Sequence, residues 1–214
     1  MAEPYAFPDL PVSDIDAGTT VMVTGPPHSG TRRLTLKLLS PVDGEGSITI
    51  STNTKAERMA RKCRAIGMDQ SPERTAIIDC GGNDDRIDEA RVLSVSSPKD
   101  LTGIGMRYSK VYRDLYRLGV TRIRTGVHSV STLLSFNELK PVVRFVHAIA
   151  GRVDSADGIG VLLVDPVMHD ERTVSTLAQF CDGRIEVEER DDKPHLRARG
   201  LDGQPRSWTP FDPS

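Results

Sequence analysis

The run VMVTGPPHSGTRRLTL, residues 21–36, leaves the chain few ways to fold. A compact, mostly β-branched strand runs into Gly25, a six-residue loop follows, and apolar residues at helical spacing begin just past Gly30. Glycines at both ends of such a loop let the backbone N–H groups turn inward. The N-terminus of the next helix adds positive potential, so the unit forms a cradle for an anion. A strand that feeds a helix in this way also opens a parallel α/β sheet. The plainer alternative is a strand-to-helix turn that carries two glycines and holds nothing.

The rest of the chain repeats the alternation. Short apolar runs at 46–52, 75–80, 91–97, 120–126 and 158–166 read as strands, separated by helical patterns at 54–67, 103–119, 139–153 and 170–181. In the first of these helices Met59, Cys63 and Ile66 share a side; in the second Met106, Val111, Leu115 and Leu118 fall near one face, with Gly119 as a stop. Asp170 stands where a cap of the last helix belongs. Residues 183–190 and 194–200 flank a turn at 191–194 and predict an antiparallel hairpin. The expected fold is therefore α/β: a mostly parallel central sheet flanked by helices, finished by a C-terminal antiparallel hairpin. Residues 1–18, rich in proline and without periodicity, are expected as an arm lying over a single domain at 19–214, with Trp208 and Phe211 pinning the tail.

Bulk properties narrow the function. The formal net charge of the 214 residues is -2, with no basic stripe or polybasic run, which argues against nucleic acid or an anionic membrane as partner. No apolar run approaches the roughly 20 residues of a membrane span. The N-terminus lacks the pattern of a signal peptide, so a cytoplasmic protein is expected. Cys63, Cys80 and Cys181 are far apart and read as reduced thiols. The five histidines include no HxH or HxxxH pair; His147 lies in an apolar helical pattern and is expected in the core. His128, Asp165 and His169 could converge at the edge of the sheet, but without ligand spacing no metal site is expected. Ser129 and Ser131 have neither an evident base nor the glycines of a nucleophile elbow.

At the loop itself the frame Gly25-Pro26-Pro27-His28-Ser29-Gly30 fits GxxxxGK[ST], but Thr31 replaces the lysine and Arg32 the hydroxyl residue. Lysine there neutralises terminal phosphates and the hydroxyl holds magnesium. What remains is a backbone nest, with Thr31, Arg32 and Arg33 as the side chains left to assist it. ATP or ADP is then a candidate ligand and magnesium an unfavourable one. Asp165-Pro166 ends a buried strand, and Asp165 either accepts a hydrogen bond from a ligand, Thr24 or Thr31, or caps the next turn.

From Thr19 to Arg199 the sequence resembles the KaiC/GvpD/RadA-type branch of the RecA superfamily, and within it archaeal HTR-like proteins of unknown function. The stretches GPPHSGTRRL, SSPKDLTGIGMRYS, HSVSTLLSF with VVRFVHAIAGRVDSA, and DPVMHDERTVSTLAQFCDGRIEV carry the resemblance. It implies that the segment containing His128 and Ser129 corresponds to the Walker B strand end, where active members place a magnesium-organising aspartate. It implies a catalytic glutamate after the second strand, where this chain has Thr52 and Asn53, and a sensor strand ending at Asp165. With lysine, aspartate and glutamate all replaced, the resemblance implies a pseudo-ATPase with a regulatory or scaffolding role. Arg197 and Arg199 match a hairpin that reaches a neighbouring subunit's nucleotide, which would imply a homo-oligomer or an active paralogue as protein partner. Alternating arginines on a solvated edge strand are the plainer reading. Two rivals stand beside the pseudo-ATPase: an ATP-binding switch using Arg32 or Arg33 in place of lysine, and a DNA-associated recombinase-like protein, against which the balanced charge counts.

Overall fold

The apolar runs of the sequence become one sheet. In the computed structural model, which describes residues 2–82 and 87–213, the chain runs through β1 (Thr20–Thr24), α1 (Thr31–Leu38), β2 (Gly46–Ser51), α2 (Ala56–Ala65), β3 (Thr75–Asp79), β4 (Arg91–Ser94) and α3 (Leu101–Arg117). It continues through β5 (Ile123–His128), α4 (Val130–Phe136), α5 (Leu139–Ser155), β6 (Ile159–Val164), a 3-10 turn (Pro166–Met168), α6 (Glu171–Ala178), β7 (Gly183–Arg190), β8 (Lys193–Arg199) and β9 (Thr209–Pro210). The strands lie in the order β4-β3-β2-β5-β6-β1-β7-β8-β9. All pairings from β4 to β7 are parallel, and β8 and β9 add antiparallel. The expected α/β architecture, with its antiparallel C-terminal hairpin, is what the chain adopts.

Strands β1, β2, β3, β5 and β6 are buried along their whole length, which is why they read as continuous apolar or β-branched runs. Alternate residues serve two cores. Met22, Ile48, Ile50, Val127 and Leu162 pack with Tyr108 and Leu115 of α3, Val142 and Ile149 of α5, and Leu177 of α6. On the other face Val21, Val23, Val161, Ile185 and Val187 meet Leu34 and Leu38 of α1, with Tyr5, Phe7, Val12 and Ile15 from the segment before β1. Helix α2 lies on that face too, packing Met59 and Cys63 on Ile77. Asp170 caps α6 as its position predicts, accepting a hydrogen bond from Thr173 N–H at 2.7 Å.

The face of α3 differs from the expected one. Val111 and Leu115 are buried, but Met106 and Leu118 are exposed, and Ile104 and Tyr108 take their places. The buried residues 104, 108, 111 and 115 follow helical spacing. Tyr108 joins them because its hydroxyl lies 3.1 Å from Thr125 Oγ1 on β5. His147 is exposed, not in the core, and its ring lies 5.1 Å from that of Phe180. Helix α4 and strand β9 were not anticipated as separate elements. Phe211 just past β9 is buried, and Trp208 is half-buried with the guanidiniums of Arg190 and Arg197 over its ring, at 4.6 and 4.3 Å.

Candidate functional site

Parallel strands all point their C-terminal ends at one edge, and the loops after neighbouring strands meet there. The adjacent strands β2, β5, β6 and β1 bring together Thr52, His128 with Ser129, Asp165, and the loop 25–30. A cavity of about 450 Å³ opens at this edge, lined by Gly25, Pro26, Pro27, His28, Gly30, Thr31, Arg32, Arg33, Ser129, Leu163 and Asp165. Of the residues singled out in the sequence for this site, Ser29, Thr52, Asn53, His128, Arg197 and Arg199 do not line this wall.

The loop is closed on itself. His28 and Gly30 have φ of 73° and 86°, in the left-handed region, which turns the chain tightly before α1. Ser29 is buried; its hydroxyl donates to Pro26 C=O at 2.8 Å and lies 2.6 Å from Thr31 Oγ1. Thr31 is buried as well and is tied into the loop. Gly25 leaves no room for a side chain: a Cβ would sit 2.3 Å from Thr31 Oγ1 and 2.7 Å from Val187 C=O. Gly25→Ala is therefore expected to force the loop off β7 and to cost about 1–3 kcal/mol, read as a lower urea midpoint. Arg32 and Arg33 are exposed on the first turn of α1.

At the end of β5, His128 is fully buried, and neither ring nitrogen reaches a hydrogen-bond partner among the described residues. Burial pushes its pKa down to about 4, and the charges of Lys62 and Arg32 push the same way; a contact with its own backbone opposes them. The imidazole is neutral at physiological pH. Lys62 of α2 is itself lowered, chiefly by burial and then by Arg32 and Arg58. The peptide from His128 to Ser129 is cis. Thr52, at the end of β2, is a latch: its hydroxyl donates to Ser129 C=O at 2.9 Å and accepts from Ser129 N–H at 2.8 Å. Asp165 takes the capping alternative, its carboxylate accepting Val167 N–H at 3.0 Å, while its own N–H donates to Ser131 Oγ at 2.9 Å.

These residues fit an anion better than a magnesium–nucleotide complex. Magnesium needs hard oxygen ligands, usually carboxylates and waters. Around the cavity stand a neutral imidazole, a threonine latched to the backbone and a hydroxyl tied to Ser29. Among the described residues the only carboxylate on the cavity wall is that of Asp165, which caps the 3-10 turn. No group of three His, Cys, Asp or Glu among the described residues is placed to hold a metal ion, so His128, Asp165 and His169 do not form a ligand set.

Away from the cavity, Arg197 and Arg199 lie on β8, with Nε atoms 2.5 and 3.2 Å from Glu186 Oε2 on β7. Sequence reasoning missed a second charged cluster. Arg124, the second residue of β5, is fully buried and donates to Glu45 at 2.6 Å, Leu38 C=O at 3.0 Å and Ala6 C=O at 2.8 Å. An arginine inside a strand buried along its whole length is the available signal.

The order of strands and the loop after β1 define an α/β protein with a KaiC-like fold. The chain belongs to the Family of unknown function (DUF7504), whose model matches residues 18–187. Among solved structures it is similar to the KaiC-like protein PH0186 of the hyperthermophilic archaeon Pyrococcus horikoshii, at 16% identity and a TM-score of 0.65 over 92% of this chain and 86% of that one. It is also similar to the uncharacterized protein PH0321 of Pyrococcus horikoshii, crystallised with an unknown peptide, at 13% identity and a TM-score of 0.68 over 92% and 89% of the two chains. No curated protein matches it significantly in sequence. No helix among the described residues is long and apolar enough to cross a membrane.

Proposed function

We propose that this chain is a pseudo-ATPase: a RecA/KaiC-like P-loop protein, placed by resemblance among archaeal HTR-like proteins, that regulates or scaffolds a protein partner without hydrolysing nucleotide. The observation that carries the reading is the buried, neutral His128 at the end of β5. Hydrolysis needs charge that organises metal and water at that strand end, and a buried, uncharged ring supplies none. The engagement of Thr31 by Ser29 and of Thr52 by Ser129 supports the same reading, since neither hydroxyl is free for a ligand. The peptide bound to PH0321 is in keeping with a protein partner for a fold of this kind.

Phosphate release from ATP at saturating magnesium is the test, with an expected rate equal to the buffer blank. Magnesium-dependent turnover that disappears in Arg32→Ala or Asp165→Ala would overturn the proposal. A second reading keeps nucleotide binding and drops only catalysis. It is favoured by Arg32 and Arg33, both exposed on the cavity wall beside the loop amides. Calorimetry with ATP and ADP separates the two, because binding without turnover that is lost in Arg32→Ala describes a nucleotide sensor.

A further inference from the structure

We propose that the base of the β7–β8 hairpin is a docking surface for an acidic segment of a partner protein. The proposal rests on the partner-binding part of the function above and is independent of its account of the nucleotide cavity.

The register carries the argument. Arg184 on β7 stands directly opposite Arg199 on β8, and the next pair on that face is Glu186 with Arg197. Like charges directly opposed across an antiparallel pair destabilise it. One carboxylate answers all three guanidiniums: Glu186 is 3.0 Å from Arg184, 2.5 Å from Arg197 and 3.2 Å from Arg199. Arg206 adds a fourth cation, lining with Arg199 a cavity of about 330 Å³ whose wall holds a single carboxylate, Asp202. With Glu188, the next outward residue of β7, four guanidiniums and three carboxylates sit together on a chain whose net charge is -2, and Glu188 is itself paired with Arg190. A cation pair that costs the free protein stability makes sense where a bound partner relieves it.

This face of the hairpin is open at its base, while Trp208 covers Arg190 and Arg197. Its outward residues from Arg184 to Glu188, and His195 and Arg197, are half-buried and the rest exposed, whereas Ile185, Val187, Leu196 and Ala198 on the reverse face are buried. The guanidiniums are also held in place, by Glu186 and, for Arg197, by the ring of Trp208 at 4.3 Å. A preorganised fork loses less freedom on pairing with a carboxylate than a free arginine does. Addition of a strand at the edge of β8 is obstructed: Ala198 N–H already donates to Pro205 C=O at 2.7 Å, and β9 pairs with His195 and Leu196. The partner therefore meets side chains on the face and not the backbone edge. The turn end of the hairpin carries Arg190 and Lys193 beside Asp191 and Asp192, about 20 Å along the strands from Arg184 and beyond the range of strong coupling in salt, so it stands apart from the patch at the base. A patch this short suits a few carboxylates better than a phosphate backbone.

The test is fluorescence anisotropy of a labelled dodecaglutamate peptide, with an oligothymidylate of equal length beside it, on the full chain. Arg184→Ser with Arg199→Ser is expected to weaken peptide binding at least about tenfold. The charge-matched control, Arg113→Ser with Arg117→Ser on the exposed side of α3, should leave it nearly unchanged. The Tm of the hairpin variant should equal or exceed that of the wild type, whereas a purely structural ladder would lower it. Peptide binding that is absent, or equal in the two variants, overturns the proposal. So does tighter binding of the oligonucleotide, or self-association of the wild type that the hairpin variant abolishes. None of these outcomes bears on ATP turnover, so failure here leaves the reading of the cavity standing.

Discussion

Replacing Arg124 with methionine is expected to cost about 3–5 kcal/mol of folding stability, seen as a lower urea midpoint at unchanged slope. The side chain is fully buried on β5, facing α1 and the segment before β1. Removing it strands the carboxylate of Glu45, which is only 5% exposed and keeps one cation, Arg122, at 3.2 Å. It also orphans the carbonyls of Leu38 and Ala6 and removes the guanidinium over the ring of Phe7, at 4.8 Å. A buried charge left without its partner is the large part of the cost. Combining Arg124→Met with Glu45→Met should recover much of the loss, because the pair is then absent and nothing charged stays buried. Amide exchange at Tyr5 and Ile15, which bond each other's backbone at 2.7 and 3.0 Å, should quicken in the single variant. A double variant as unstable as the single one would place the energy in packing against the arm and not in the ion pair.

This cluster shows where sequence reading stops. The strand–loop–helix at 20–38 and the alternation after it depend on local periodicity, and a single chain displays that. Arg124 depends on Glu45 and Ala6, which are separated from it by 79 and 118 residues, and no local pattern joins them. The same limit misplaced one face of α3. Met106 and Leu118 are as apolar as the residues that are buried, and the choice falls to Tyr108, whose hydroxyl finds Thr125 only in the folded sheet. His147 follows the apolar spacing of α5 but lies outside the buried set of Val142, Phe145, Val146, Ile149 and Val153. At the candidate site the identities were legible as replacements against a family pattern. Their engagement was not: Thr31 held by Ser29, Thr52 latched to Ser129 and Asp165 turned to Val167 are contacts between loops that strand order alone brings together.

The burial of His128 makes a second large effect. Lowering the pH from 7 to 4 is expected to remove about 3 kcal/mol of stability through this one group, since each pKa unit is worth about 1.4 kcal/mol. Its pKa falls from 6.5 to about 4 on folding. Between those values the unfolded chain binds the proton and the native chain does not, so stability declines as pH drops through the window. The loss begins near 6.5 and is complete below about 4. His128→Leu removes the titrating group and both unpaired nitrogens. It should match the wild type or exceed it at pH 7 and be clearly more stable at pH 4.5, as chemical denaturation at both pH values would show. If wild type and variant lose stability in parallel, the imidazole is not held neutral, and the argument against charge at the end of β5 fails with it. If they diverge, a proton on His128 would add a cation beside Lys62 and Arg32, and the fold resists it. A position that excludes charge of its own in this way has none to offer a metal ion or an attacking water, which is the premise of the proposed pseudo-ATPase.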